Sequence, residues 1–283
     1  MTAGAAILLA IALHVVWNLL ARHVPARQEF IWWALAGHLL LAGPWALPTL
    51  VAEADWRGPL ALCIVVSGTA LSVYFLGLRA AYRHAPVALA YPIARSAPLF
   101  IAIASWLLFG ETFSPAGLAG ILLSSAALFL LGASSWRIHA GKAIAPALLA
   151  ALGTTVYSLS DKTAVAALPG LASQFGYVTL GYLCAWLALT VALRRRHGHW
   201  HPPARPPWPI LLAGALSIGS SYALIVHAMS SLSAAYTVAL SNGGIVIATL
   251  LSIFWFGERE HRWARLAGAC LLAAGLGLVA LAR

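Results

Sequence analysis

The chain has 283 residues, 62% of them hydrophobic and only 8% charged, against roughly 25% charged in a soluble globular domain. That composition excludes a soluble fold. With about 20 apolar residues needed for each bilayer span, there is room for about ten spans and none for a soluble domain. The net charge of +10 would point to nucleic acid in a soluble protein. Here the arginines sit mostly between apolar segments, where they read as topology signals and contacts with anionic membrane lipids, so nucleic acid is not an expected partner.

Taken in chain order, apolar runs bounded by charge, Pro or Gly predict spans at 2–21, 28–51, 59–82, 86–108, 115–133, 143–161, 170–193, 209–229, 233–256 and 262–281. The first run lacks a basic leading segment and reads as a span rather than a signal peptide. The runs are long and unbroken, unlike the alternating ten-residue strands of outer-membrane barrels. Lipid forces each segment to satisfy its own backbone amides, so the expected fold is an all-α membrane protein of ten transmembrane helices. Cys63, Cys184 and Cys270 all fall inside apolar stretches, which implies neither a disulfide framework nor a metal site.

An internal repeat organises the spans. Phe109-Gly110-Glu111 closes the fourth and Phe256-Gly257-Glu258 the ninth, and 256 − 109 is 147. Leu118-Ala119-Gly120 and Leu266-Ala267-Gly268 follow at an offset of 148, and placing Trp17 on Tyr157 sets Asn18 against Ser158 and Arg22 against Lys162. The expected halves are 1–134 and 143–283. Five helices followed by five homologous ones insert in opposite senses, which is an inverted repeat, the arrangement that builds a midplane site and permits alternating access. The basic, Pro- and His-rich stretch at 194–208 reads as a semi-rigid loop touching lipid headgroups. Its alternating histidines are the one feature resembling a metal tract, and no metal site is expected there. Loops after odd-numbered spans hold 13 of the 17 Lys and Arg, the other side holds Arg57, Lys162 and Arg283, and Arg95 lies within a span. By the positive-inside rule both termini face outward.

His14-Val-Val-Trp17-Asn18 in the first span, Tyr91-Pro92-Ile-Ala-Arg95-Ser96-Ala-Pro98 in the fourth, and the paired Phe-Gly-Glu closures together resemble the drug/metabolite transporter superfamily. The likeness is to its ten-helix branch built from two EamA-like halves. It implies a multi-pass carrier of the plasma (inner) membrane that moves small metabolites, commonly outward and often with protons. Members export amino acids or their relatives, and others carry nucleotide sugars, choline or lipid-linked sugars. The related four-helix multidrug carriers use a first-helix glutamate as their proton site, where this chain has His14. Ten-helix members also often place their termini inside, opposite to the Lys and Arg count here.

Ionisable groups at membrane depth usually face a cavity or a partner. Arg95 falls near the centre of the fourth span, while all seven acids fall at predicted span ends or in loops. Its planar fork suits a carboxylate or phosphate of the cargo; the alternative is a structural arginine that caps carbonyls freed by Pro92 and Pro98. Asn242 is its counterpart in the second half. Tyr91, one turn earlier, is placed to aim Arg95. His14, Trp17 and Asn18 share a helix face, and His14, with His38 as a second candidate, titrates where a proton-coupled carrier needs it. Tyr157 joins the expected substrate-binding set of Arg95, Tyr91, Asn18, Trp17 and Asn242, with Tyr74, Tyr222 and Tyr236 as weaker cavity-lining candidates. Asp161 with Lys162 reads as a membrane-surface ion pair rather than a gate, and Glu111 and Glu258 as caps of the next helix.

The expected function is therefore secondary transport, outward, of a small polar metabolite such as an amino acid or another carboxylate- or phosphate-bearing compound. The alternative is a flippase or carrier of a lipid-linked or nucleotide-linked sugar. No acid–base constellation of an enzyme is visible, no cofactor is expected, and ten helices can enclose a cavity without a second copy, consistent with a monomer. An alkaline phosphatase fused after Arg283, active only outside the cytoplasm, should be active if the charge count sets the topology; an inactive fusion with an active cytoplasmic reporter at the same site would place the C-terminus inside.

Overall fold

A computed structural model of the chain describes residues 1–85, 87–133, 141–257 and 261–282; Arg137, Glu258, Arg259, Glu260 and Arg283 fall outside them. Among the described residues the regular structure is helical, with no strand. In order, the helices are α1 (Ala3–His23), α2 (Phe30–Glu53), α3 (Leu60–His84), α4 (Val87–Ala94), α5 (Ala97–Phe109), α6 (Pro115–Ala133), α7 (Gly141–Ala164), α8 (Leu171–His197), α9 (Trp208–Ala228), α10 (Ala234–Ser241), α11 (Gly243–Phe254) and α12 (Arg262–Leu281). They supply 10 segments long and apolar enough to cross a membrane.

Two spans expected to be continuous are interrupted. The fourth breaks at Arg95–Ser96 between α4 and α5, and the ninth at Asn242 between α10 and α11. In the fourth, Pro98 has no N–H to return to Ala94, so the ladder opens there. In the ninth the break falls at Asn242-Gly243-Gly244, residues with low helix propensity. Arg95 and Asn242 are 147 residues apart, since 242 − 95 is 147, the same offset as the Phe-Gly-Glu closures. Elsewhere the differences are at ends. α8 continues through Arg194–Arg196 to His197 and stops at Gly198, whose φ of 76° ends the helix, so the basic stretch expected as loop begins inside a helix. Ser114 Oγ accepts from Gly117 N at 3.2 Å at the start of α6, the capping place expected of Glu111. Cys63 is buried, but Cys184 is half-buried and Cys270 exposed on α12.

The contacts divide the chain into two compact units, Met1–Phe75 with Ser160–Ser231, and Leu76–Leu159 with Leu232–Arg283. Each unit draws on both sequence halves. In the first, α2 packs on α8: Trp32 Nε1 donates to Thr190 Oγ1 at 2.8 Å, and Trp45 meets Phe175 at 5.5 Å between ring centroids. The residue numbers run in opposite order, so the helices are antiparallel. Gly176 allows this approach, because a Cβ there would collide with the carbonyl of Ala46.

In the second unit, α6 and α12 cross on small residues, the usual device for close approach in lipid. A Cβ on Gly120 would lie 2.7 Å from the Gly275 carbonyl and 2.8 Å from Val279 N. One on Gly268 would lie 2.8 Å from Leu131 Cγ and 3.8 Å from the Ala127 carbonyl. Adding 148 to Gly120, Ala127 and Leu131 gives Gly268, Gly275 and Val279. Each contact therefore has a repeat-related mirror, and the two helices run antiparallel.

Large apolar side chains such as Leu40, Leu108, Phe254 and Trp255 are left exposed, which suits contact with lipid rather than water. Arg205 lies over Trp208 at 4.2 Å and Arg262 over Trp263 at 4.9 Å, cation–π pairs at helix starts where interfacial anchors belong. Between α2 and α3, Arg57 forks onto Asp55 with Nε–Oδ1 at 3.0 Å. Its hydrogen bonds hold the Asp55 carboxyl below the usual carboxylate range.

The α6–α12 crossing yields a paired prediction. Gly275→Val should destabilise the purified protein by about 1–3 kcal/mol through forced separation, because a Cβ there meets Ser124 N at 2.7 Å. Gly277→Val, where a Cβ meets nothing within 4 Å, should leave the melting temperature within a degree or two of its starting value. Equal melting curves for the two variants would contradict the crossing.

Candidate substrate site

The break in the fourth span exposes backbone groups that lipid cannot satisfy. Asn242 meets this need, donating from Nδ2 to the Arg95 carbonyl at 3.1 Å. In return Arg95 Nε donates to Asn242 Oδ1 at 2.7 Å, and Arg95 Nη2 to Ser241 Oγ at 2.5 Å. The two residues that the repeat sets in equivalent places thus bond to each other across the two interruptions, within one unit. Arg95 is buried, at 7% exposure. Its N–H still reaches the Tyr91 carbonyl at 2.9 Å, and its Cζ lies 6.0 Å from the centre of the Tyr91 ring, the outer limit of a cation–π contact. Ser96 Oγ and Ser241 Oγ each donate back to a carbonyl three residues earlier, at 2.7 Å.

The freed carbonyl at the break is capped by the Asn242 amide, and the guanidinium bonds described go to side-chain oxygens. Asn242 and Ser241 orient the cation through neutral dipoles and add no negative charge.

The first-helix residues lie in the other unit. His14 Nδ1 pairs with the Ala10 carbonyl at 3.0 Å, which requires the hydrogen on Nδ1. Asn18 Nδ2 donates to the His14 carbonyl at 2.7 Å, and the Trp17 ring stands 5.9 Å from that of His14. The repeat-equivalent positions on α7 are Thr154, Tyr157 and Ser158, each 140 residues on, all buried and in the unit of Arg95. Trp17 Nε1, Thr154 Oγ1 and Ser158 Oγ find no hydrogen-bond partner among the described residues. Buried polar atoms left this way are uncommon. Trp17 lies on α1 and Thr154 and Ser158 on its counterpart α7, at positions that are not equivalent to one another.

His38 is buried on α2. Its Nε2 lies 3.1 Å from Thr179 Oγ1 and its ring meets Tyr182 edge-on at 5.6 Å. Gly219 provides the space, since a Cβ there would overlap the imidazole. Of the weaker tyrosines, Tyr236 packs on Phe113 at 5.5 Å and against Gly117, and Tyr222 serves a different group.

That group is Asp161, which the sequence reading sets at the membrane surface. Asp161 is instead fully buried. Tyr177 Oη donates to its Oδ1 at 2.7 Å, and the Tyr222 hydroxyl bonds its Oδ2. Ser67 adds a third hydroxyl. Lys162 has its own partner, the Met229 carbonyl at 2.6 Å, so the surface ion pair is not what forms. The sequence carried a signal for this cluster in polar residues isolated within apolar spans, Ser67, Tyr177 and Tyr222.

Residues 1–133 match the family model described as the EamA-like transporter family. Residues 163–278 match the model described as "Putative inner membrane exporter, YdcZ". A solved structure titled only as the crystal structure of a protein superposes with a TM-score of 0.75 over 99% of this chain and 97% of its own, at 23% identity. That likeness establishes a shared fold. No curated protein matches the chain.

Removing the clamp at the interruption should be costly. Asn242→Ala strips the Arg95 carbonyl of its donor and Arg95 Nε of its acceptor, and should lower stability by about 2 kcal/mol. A melting temperature unchanged from wild type in detergent would show that the clamp contributes nothing.

Proposed function

We propose, from the chain's membership of the drug/metabolite transporter superfamily, that it exports a small polar metabolite bearing a carboxylate or phosphate, by alternating access. A multi-pass membrane transporter of this superfamily is the premise; the cargo class, the direction and the mechanism are the proposal. The observation that carries it is the matched interruption of the fourth and ninth spans with Arg95 held at the break. Discontinuous helices at corresponding places in two repeats are where secondary transporters bind their substrates. Two further features support an inverted repeat of halves 1–134 and 143–283: the mirrored antiparallel contacts of α6 and α12, and the common offset of the two breaks.

In this reading the anionic group of the cargo binds the Arg95 fork, with Tyr91 and Asn242 setting its orientation and Tyr157 in the same unit. Trp17 and Asn18 on α1 are the candidate binding residues of the other unit. His14 and His38 are the histidine candidates for proton coupling. The protein acts as a monomer in the plasma (inner) membrane, with its termini outward and lipids as its surroundings. The reading needs no metal, cofactor or catalytic group.

The test compares metabolite pools inside and outside cells that carry wild type, Arg95→Lys, Arg95→Ala or no protein. Wild type should enrich one or more anionic or zwitterionic metabolites outside. Arg95→Ala should cut that efflux at least tenfold, the equivalent of about 1.4 kcal/mol of lost interaction. Arg95→Lys should retain part of it, because it keeps the charge and loses the fork. Efflux unchanged by Arg95→Ala, or confined to cations, would overturn the assignment.

A further inference from the structure

Asp161 has no part in that scheme, yet its carboxyl group is enclosed by the hydroxyls of Tyr177, Tyr222 and Ser67. It stands on α7 near its C-terminal end. From α3 it faces Ser67 and the Cys63 thiol. From α8 it faces Tyr177, and from α9 Tyr222. Behind Tyr222 is the Tyr182 ring, stacked at 6.3 Å, and behind that His38 on α2. Lys162, next in the chain, points its ammonium at the Met229 carbonyl.

The hydroxyl of Tyr177 has a second acceptor within reach. Its Oη lies 2.7 Å from Asp161 Oδ1 and 3.3 Å from the carbonyl of Cys63, which also takes a bond from Ser160 Oγ at 3.0 Å. One hydroxyl hydrogen cannot serve both acceptors fully, so the tyrosine has two settings. With Asp161 ionised, the hydrogen points to the carboxylate. With Asp161 protonated, the acid's new O–H donates to Tyr177 Oη, and the tyrosine hydrogen turns to the Cys63 carbonyl. One proton is taken up, no heavy atom need move, and every polar group stays bonded in both states, as a buried network requires.

We propose that Asp161 is a proton-binding site of this protein, with Tyr177 as the positioning residue that switches its hydrogen between the carboxylate and the Cys63 carbonyl. A proton fits better than a metal ion. Both carboxylate oxygens already accept O–H donors, whereas a metal would need those lone pairs and oxygens turned toward it. The proton links α3, α7, α8 and α9, because its arrival redirects a hydrogen bond from α7 to α3. Complete burial means that the proton cannot exchange with both sides of the membrane at once, a requirement of any coupled carrier. The coupling role rests on the transport reading above; the binding of the proton does not.

The experiment therefore has two arms on purified protein in liposomes. In the first, infrared difference spectra between acidic and alkaline buffer are recorded without cargo for wild type, Asp161→Asn and Tyr177→Phe. Wild type should show the carbonyl band of a protonated carboxylic acid that Asp161→Asn lacks. Tyr177→Phe should retain the band, displaced in frequency, with proton affinity altered about tenfold, one pH unit. A wild-type band that survives in Asp161→Asn, or a Tyr177→Phe titration identical to wild type, overturns the proposal. Should Asp161→Asn fail to fold, Tyr177→Phe alone decides it. In the second arm, liposomes are loaded with a mixture of the proteinogenic amino acids and inorganic phosphate, and release is followed with and without an imposed proton gradient. Gradient-stimulated release by wild type, lost in Asp161→Asn, supports coupling. Stimulation that persists in Asp161→Asn overturns coupling at this residue. Release from wild type no faster than from loaded liposomes without protein contradicts the transport reading, while the infrared arm still decides the proton site.

Discussion

A helix in lipid can be interrupted only where something else satisfies the backbone it leaves open, and the structure turns on how that demand is met at Arg95 and Asn242. The fourth and ninth spans both break, and the residues at the breaks bond to one another side chain to side chain and side chain to backbone. Without that exchange the interruption would leave an unsatisfied carbonyl at a cost of several kcal/mol in hydrocarbon. With it, the chain can hold irregular backbone within a span.

The exchange is symmetric in position and asymmetric in charge. The offset of 147 residues that relates the two breaks also relates the closing Phe-Gly-Glu motifs, and the α6–α12 crossing shows mirrored contacts at 148. The pair at the breaks is nonetheless arginine and asparagine. At these offsets the packing positions are alike, small residues against backbone, while the polar positions differ. The first and sixth helices show the same pattern, with His14, Trp17 and Asn18 opposite Thr154, Tyr157 and Ser158.

Much of this was legible in the sequence, because hydropathy and repeat offsets are properties of long segments. The ten spans and the equivalence of Arg95 with Asn242 came from such signals. The breaks were less so. Pro92 and Pro98 were visible, but no pattern rule said that the two interruptions would lie against each other. Asp161 was misread for a related reason. Three residues from the end of α7 and next to Lys162, it looked like a surface charge, and only the arrival of Tyr177 and Tyr222 from helices far along the chain buries it. The unfilled hydrogen bonds of Trp17, Thr154 and Ser158 are likewise tertiary facts, invisible until the neighbours are placed.

The central claim, that the guanidinium held at the broken fourth span is an anion receptor, can be tested without knowing the cargo. Purified wild type and Arg95→Gln are melted against a panel of carboxylates, organic phosphates, amino acids and amines. A ligand bound only by the folded state raises stability by RT ln(1 + [L]/Kd), about 2.7 kcal/mol at a hundredfold excess over Kd. The account predicts saturable stabilisation of wild type by at least one anionic or zwitterionic compound, absent from Arg95→Gln at every concentration. Equal stabilisation of both proteins by that compound, or stabilisation of wild type by amines alone, would contradict it.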